Sequence, residues 1–521
     1  MMRRREFLAA TGAALALGAA AQGDGGEADA VSRDADPRGG FTFGPQKKLL
    51  FADLRHIDPG DLQWRSAEGT VIPVAGPPEP PVPVWADASQ VARGVRLVAQ
   101  KPSKEGPVAN RPGQVVADAG AYRGWSLKTN YTGADLGSYS SALAESITVQ
   151  AAESQDGYAW TVRDACTVEV AGITGIDGAG FFIDPNGSPE ERYKCVFHAS
   201  VRQGVQALWE KYQRLHPRYR DNRINGEHMN CLYGMTSPDG LDWRFLPEPL
   251  LIHKGDTDNT VYYDAWLGKY VLYTRLYWLD RRLIGRAESD DFRDWSPVVP
   301  MLGPSLEDPY SYDIYLNART EYPDLPGYHL LFPMFYRRFT QTSEIRMYSS
   351  LDGIRWNAVP GGPILEPGGT DAWDGEYVFA GKGLVPLGSD KVGIPYDGMS
   401  HPHKYPRWPG VITGNAGWAT WPKDRICALK ADEEGEFHTF PIPVTGTELR
   451  VNARVDRGGA LQIGIVGVDG RSTDLCDIVT GDETARTITW RGDLHLHVEP
   501  GDTVRLHVRM RAAELFAIEW A

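Results

Sequence analysis

Two short runs in this chain gather acids beside an amide or an aromatic at the entrance of a predicted strand: Asp256-Thr257-Asp258-Asn259 and Trp373-Asp374-Gly375-Glu376. A third acid, Asp313, follows Tyr312 at the start of another strand. A set of carboxyls brought into one cavity can divide labour. One is held protonated to donate to a leaving oxygen, and another is ionised to activate water or attack carbon, which is the requirement of glycoside hydrolysis. Mutual repulsion and partial burial separate the two pKa values without a cofactor. Asp258 is therefore expected as base or nucleophile, Glu376 as proton donor, and Asp313 as the neighbour that tunes the donor. Glutamate is given the donor role because it reaches further than aspartate toward a glycosidic oxygen.

The expected substrate contacts are Asp256, Asn259, Arg275, Tyr312, Trp373, Asp374, Tyr396, His401 and His403. The aromatic members offer flat faces to the apolar C–H faces of sugar rings. Arg275 could clamp a carboxylate or hydroxyls of a sugar, or pair with a carboxylate of its own fold. The triplet His401-Pro402-His403 could serve as metal ligand, proton donor or plain loop. No metal ligand set is assigned and no cofactor is required, although a structural calcium would be compatible with an acidic funnel. Aspartate and glycine at strand starts are also ordinary turn residues, so each acid has a structural reading beside its chemical one.

The elements that must position these groups are strands. From Gly255 to Ser296 the chain reads as one antiparallel meander: Thr260–Tyr263, a turn at 264–268, Lys269–Leu276, then Leu283–Ala287. The unit closes on Ser289-Asp-Asp-Phe-Arg-Asp-Trp295. That closing box recurs as Ser154-Gln-Asp-Gly-Tyr-Ala-Trp160, Ser237-Pro-Asp-Gly-Leu-Asp-Trp243 and Ser350-Leu-Asp-Gly-Ile-Arg-Trp356, the four copies starting 83, 52 and 61 residues apart. A four-stranded unit at that spacing predicts propeller blades. The box aspartate is expected to satisfy turn amides and the tryptophan to pack between blades.

Five blades are laid out, at 110–165, 177–250, 255–296, 308–360 and 371–441. Asp118, Asp177, Asp256/Asp258, Asp308/Asp313 and Asp371/Asp374/Glu376 stand at the blade entrances. Glu436–Pro441 is taken as the last strand of blade five. An insertion in blade two with apolar residues at three- and four-residue spacing (Val205, Leu208, Trp209, Tyr212) predicts a helix. After Pro443 clean alternation predicts a small β-sandwich. The fold class is thus all-β, a five-bladed β-propeller over 106–443 with a C-terminal β-sandwich over 444–521. The segment 41–105, with a strand at Lys48–Ile57 and a proline-rich run, has no assigned role.

The first 21 residues are an address. Arg4-Arg5-x-Phe7-Leu8 before a short Ala/Leu/Gly run matches a twin-arginine signal, which implies export to the periplasm or beyond. Residues 22–40 read as a disordered linker. The formal charge of −14 argues against nucleic acid or an anionic membrane as partner. The expected partner is a carbohydrate, with no membrane association once the signal is removed. Five cysteines without CxxC spacing exclude a disulfide framework and a zinc site, while leaving room for one disulfide.

The repeats, the acidic blade entrances and the run Asp256–Arg275 resemble a group of secreted bacterial glycosidase-like propellers, distantly similar to five-bladed arabinanase, xylosidase and invertase hydrolases. The ending, with ELRVNARVDRGGALQIGIVGVDGRS, TITWRGD and VRLHVRMRAAELFAIEW, resembles the C-terminal sandwich of that group. The resemblance implies a secreted hydrolase of poly- or oligosaccharides. The invertase-type Asn-Asp-Pro-Asn-Gly motif is absent, and Asp184-Pro-Asn-Gly187 is read as the hairpin turn of blade two. A non-catalytic glycan-binding propeller is the alternative. A sialidase, which the boxes loosely suggest, would need an arginine triad that the sequence does not supply.

Overall fold

The computed structural model describes residues 46–58, 92–131, 143–215, 228–404 and 414–521, with short strand pieces at 64–65, 71–72 and 82–83. The expected export signal and linker lie outside the described residues, as does 405–413. The protein is all-β; among the described residues a single α-helix, Val205–Leu215, stands where the blade-two insertion predicted it.

Three antiparallel four-stranded sheets follow the chain in order. The first runs Val116–Asp118, Ala121–Tyr131, Ala144–Ser154, Thr161–Glu169. The second runs Ile173–Ile183, Tyr193–Val201, Met229–Ser237, Arg244–Leu251. The third runs Thr260–Asp264, Lys269–Trp278, Arg281–Ser289, Val299–Leu302. Blade four is interrupted halfway along its strands. Its entrance half pairs Tyr312–Leu316, Met334–Arg337 and Ser343–Ile345, and its far half pairs Arg319–Tyr322, Leu325–Leu331, Tyr348–Ser350 and Asn357–Ala358. Blade five is built on Tyr377–Ala380, Lys391–Met399 and Gly414–Pro422. Each inner strand touches the next blade, and Gln114 bridges in parallel to Lys382, so the five sheets close into a ring.

The outermost strand of blade five differs from the sequence expectation. Ser103–Glu105, upstream of blade one, pairs with Gly414–Pro422. The expected strand Glu436–Pro441 belongs instead to Cys427–Thr439, which pairs with Leu506–Trp520. Linking the first propeller strand to the last blade closes the ring through the chain itself, at the entropic cost of one long loop. Likewise Lys48–Ile57 is not one strand: Lys48–Leu50 pairs with Leu506–Trp520, and Ile57–Asp58 with Cys427–Thr439. The C-terminal strands, expected as a small sandwich, are hydrogen-bonded into one seven-stranded sheet that curls into a half-barrel. Its long strands, Leu449–Ile465 and Leu506–Trp520, change register near Val455, a bulge that lets the sheet bend. This sheet shares one continuous core with blades four and five, through Leu429, Phe437, Leu515 and Trp520 on one side and Leu330, Phe332, Tyr377 and Trp421 on the other.

The boxes are turns between the third and fourth strands. In Ser237–Trp243 the serine hydroxyl accepts the Gly240 amide at 2.9 Å, Asp239 accepts the Leu241 and Asp242 amides at 2.8 and 2.9 Å, and the Trp243 indole donates to the Gly240 carbonyl. The same bonds recur at Ser154 and Asp156, and the aspartate bonds at Asp291 and Asp352. Each glycine carbonyl of three boxes is also held by an aromatic of the preceding blade: Gly157 by Trp418 at 2.8 Å, Gly240 by Trp125 at 2.7 Å, and Gly353 by the Tyr273 hydroxyl. In blade three Phe292 replaces the glycine, at φ 66, and packs against Phe182 of blade two. The boxes therefore latch blade to blade. Asp184 likewise serves the turn of blade two, bonded to Lys194 at 2.6 Å and to the Tyr270 hydroxyl at 2.8 Å.

All five cysteines are free thiols. Asp118, expected at an entrance, sits at the opposite end of its inner strand, where Arg123, Arg192 and Tyr193 hold it.

Candidate active site in the propeller funnel

Asp258, expected as the base, lies in the axis of the ring. Its Oδ2 accepts the backbone amides of Asn317 (2.5 Å) and Ala318 (3.2 Å) of blade four, and its Oδ1 meets Lys382 Nζ of blade five at 3.0 Å. Lys382 also donates to the carbonyls of Ala179 (3.0 Å) and Asn259 (2.8 Å). The Asn259 amide donates to Gly178 O and accepts from the Thr274 hydroxyl. Asp258, Asn259 and Lys382 are all buried. Both oxygens of Asp258 are committed to binding four blades together, which corrects its assignment as base, and Asn259 is likewise withdrawn from substrate. The three oxygens around Lys382 are the sort a calcium ion would use, but calcium needs six to eight, and an ammonium fills the position. Among the described residues no group of three or more His, Cys, Asp or Glu is arranged to hold a metal ion.

Asp313 is fully buried and clasped by two arginines of separate hairpins. Arg282 reaches it with its guanidinium (2.7 Å) and its own amide (3.1 Å), and Arg338 binds both oxygens at 2.9 and 2.8 Å. Burial opposes its charge, but Arg338 and Arg282 outweigh that and hold the carboxyl below its usual range. It is an anchor for Arg282 and Arg338, not a neighbour that tunes a donor. Asp374 is similarly taken, by Lys104 at 2.6 Å and the Tyr396 hydroxyl at 3.3 Å. Tyr396 is completely buried and packs at a tilt against Trp373, whose indole lies against Gly106, Gly398 and Gly417. Tyr312 accepts from Arg337 through its hydroxyl and from Arg281 through its carbonyl. These four residues build blades four and five.

What remains at the inner-strand entrances is a different set. Asp256 is half-buried and bound at Oδ2 by Arg275 (2.6 Å) and by the Tyr277 hydroxyl (2.5 Å). Burial works against its ionisation, yet Arg275 and Tyr277 prevail and hold the carboxyl below the ordinary range. Arg275 itself is buried, lies 3.9 Å from the Tyr315 ring centroid, and donates to the Thr257 hydroxyl and Tyr315 O. Of the options the sequence left open for Arg275, the structure takes the carboxylate pair.

Beside this pair stands Asp177 of blade two. Its side chain is open to water but ringed by protein, and burial pushes its carboxyl up. The Gly178 amide, 2.7 Å away, offsets part of the rise and the charge of Asp256 adds to it. Gly178 makes the approach possible: at φ +63 it accepts a left-handed backbone, and a Cβ there would stand 2.3 Å from the Asp256 carbonyl. Asp256 and Asp258 also have positive φ, at 50° and 69°, a conformation that aspartate tolerates better than most residues. His198, opposite Asp177 in the strand register, is buried and lowered by burial, and His253 is lowered to about 4. Both are neutral at ordinary pH.

Glu376 precedes the inner strand of blade five. It is half-buried, and its carboxylate has no partner among the described residues. Beside it Tyr377, Tyr336 and Tyr315 surround the His403 ring at centroid distances of 4.9, 5.6 and 5.3 Å. His401 Nδ1 faces the Pro402 carbonyl at 3.0 Å. Asp397, behind them, is raised by burial against the pull of Arg111, 2.5 Å away.

No family model and no curated protein matches this chain. Among solved structures it is similar to an N-acetylgalactosamine deacetylase from F. plautii in complex with blood group B trisaccharide, at 13% identity over 71% of this chain and 96% of that one, with a TM-score of 0.39. It is similar to an exo-inulinase from Aspergillus awamori at 12% identity, over 81% and 98% of the two chains, TM-score 0.39. It is also similar to a beta-1,2-mannobiose phosphorylase from Listeria innocua at 12% identity, over 64% and 92%, TM-score 0.40. Glycoside hydrolases recur among the similar structures.

Proposed function

We propose that the funnel is the active site of an exported glycoside hydrolase and that Asp177 is its proton donor. The observation that carries this reading is the opposite perturbation of two adjacent carboxyls: Asp177 is pushed up by burial and by Asp256, while Arg275 keeps Asp256 ionised. Environments that drive neighbouring titratable groups apart assign acid and anion roles. In this reading Asp256 tunes the donor by its fixed charge. Glu376, across the ring on blade five and with no partner among the described residues, is the carboxylate that activates water or attacks the anomeric carbon. Glu376 thus keeps a catalytic role but changes from acid to base.

The reaction follows from these roles. A sugar ring enters the funnel beside the Tyr315–Tyr377 wall, and Asp177 gives its proton to the departing glycosidic oxygen as the C–O bond breaks. Glu376 takes a proton from the water that attacks the anomeric carbon from the other side, or bonds that carbon itself and is released when a water deprotonated by Asp177 replaces it. Export rests on the Arg4-Arg5 signal, and replacing that pair by Lys-Lys is expected to retain the protein in the cytoplasm. The decisive experiment is a glycan panel read with Asp177→Asn and Glu376→Gln. Each amide should lower kcat on the responsive glycan by about two orders of magnitude or more, with binding retained. Full activity in both variants would refute the assignment.

A further inference from the structure

We infer that the rim of the funnel over blades three and four is a platform for an acidic polysaccharide chain, one bearing uronate carboxylates. The inference rests on the reading of the funnel as a sugar site and specifies what is led into it.

The platform is made by two hairpin tips and one loop. Trp278 and Leu279 lie at the tip of the blade-three hairpin, Phe339 at the tip of the blade-four hairpin, and Tyr310 in the lead-in to blade four. Trp278 is 55% exposed, Tyr310 71% and Phe339 90%. Large apolar side chains clustered on a surface mark an interaction site, whereas scattered ones do not. These are clustered by design of the fold. Arg281 pairs across the hairpin with Trp278, and its guanidinium lies 5.2 Å from the Tyr310 ring centroid. Arg338, next to Phe339, donates to the Asp280 carbonyl of the other tip while bound to Asp313. The buried Asp313 clasp therefore fixes the two aromatic tips side by side.

Charge specifies the occupant. Most arginines in this region are paired: Arg275 with Asp256, Arg282 and Arg338 together with Asp313, Arg338 also 3.7 Å from the exposed Asp280 carboxylate, and Arg337 with Glu344. Arg281 is different. Its hydrogen bonds go to the Tyr312 carbonyl alone, and it has no carboxylate partner among the described residues. Lys254, 4.8 Å from the Tyr277 ring centroid, also lacks one. On a chain of net charge −14, Arg281 and Lys254 stand among aromatic faces as cations without a carboxylate partner among the described residues. Flat faces take sugar rings and the cations take their carboxylates. A neutral glycan would leave both charges unused.

The platform is continuous with the funnel. The strand that carries Trp278 also carries Tyr277, bound to Asp256, and Arg275. From Arg275 to Trp278 is roughly 10 Å along an extended chain, about two sugar units. A polymer lying on the rim thus delivers a residue to Asp177.

The test uses Asp177→Asn protein, which binds without turnover, and three uronate polymers: polygalacturonate, alginate and hyaluronan, each beside its methyl-esterified counterpart. Affinity electrophoresis and calorimetry at low salt should show binding of at least one acid polymer and about tenfold weaker binding of its ester. Adding Trp278→Ala or Arg281→Ala should weaken the acid polymer by about tenfold, with Arg281→Lys restoring much of it and melting temperature unchanged. Binding of none of the three, equal binding of acid and ester, or undiminished binding by the rim variants would each overturn the platform. The two readings fail separately. Binding through the rim without cleavage by the unmodified protein removes the hydrolase but leaves the platform. Cleavage of neutral glycans with rim variants fully active removes the platform but leaves the hydrolase.

Discussion

Lys382 Nζ stands 3.0 Å from Asp258 Oδ1 in the axis of the ring, and each residue is more than nine-tenths buried. One comes from blade five and the other from the lead-in to blade three, and through their backbone partners the pair touches blades two and four. Breaking a buried pair by removing one member leaves an uncompensated charge, which costs about 3–5 kcal/mol. Asp258→Asn and Lys382→Met should each lower the unfolding free energy by that order, read from a denaturant titration. Protein of either variant that remains folded should keep kcat within a few-fold. A hundredfold loss of kcat with an unchanged melting temperature would return Asp258 to the chemistry.

The latches between blades give a graded stability prediction. Trp243 and Trp295 are buried, at 4% and 2% exposure, whereas Trp356 is only half-buried and its indole nitrogen has no partner. Trp243→Ala or Trp295→Ala should destabilise by about 3–5 kcal/mol. Trp356→Ala should cost clearly less. Equal losses in a denaturant titration would show that the box tryptophans act through something other than burial.

These two cases mark where the sequence is legible. The boxes could be read because their chemistry is local: serine, aspartate and glycine serve amides two or three residues away. Asp258 and Asp313 could not, because the partners that consume them, Lys382 and Arg338, are remote in sequence and nothing in a strand pattern announces them. Ser103–Glu105 has only three residues and no periodicity, so its place as the outer strand of blade five was invisible. Asp177 stands at its blade entrance with no second acid beside it in the sequence. Its neighbour arrives from the next blade. Glu376 and Arg275 stand out in the sequence, but a role for either needs its partners to be known.

The raised carboxyl of Asp177 has a stability consequence whose sign is fixed. A carboxyl with a higher pKa in the folded than in the unfolded state stabilises most below the unfolded value, about 3.9, and that contribution is lost as pH rises through the folded value. Holding Asp177 protonated above its unfolded value, or charged above its folded one, therefore burdens the fold. Asp177→Asn should raise the melting temperature at pH 7 and leave it nearly unchanged below about pH 3.9, while activity falls. A variant less stable than the parent at pH 7 would contradict the raised pKa.

Arg275 offers the sharpest separation between tuning and binding. Its ion pair with Asp256, 2.6 Å long, keeps that carboxyl ionised, and the ionised Asp256 in turn helps keep Asp177 protonated. Replacing Arg275 by Met removes the ion pair and also the guanidinium charge that lowers Asp177 directly. Asp256 should then take up a proton at higher pH than before. Wherever Asp256 is ionised, Asp177 should hold its proton to higher pH, so the alkaline limb of the kcat/KM profile moves upward while the acid limb, set by Glu376, stays in place. Bell-shaped profiles report the acid and base of the free enzyme. A residue that merely held substrate would behave otherwise: KM would rise while both limbs stayed in place. The pH dependence of kcat/KM for Arg275→Met, measured beside Tyr277→Phe, decides between these. Tyr277→Phe removes only the hydroxyl that Asp256 accepts and keeps the Arg275 charge, so it should leave the alkaline limb nearly in place. An unmoved alkaline limb in Arg275→Met would separate the Asp256–Arg275 pair from the proton chemistry.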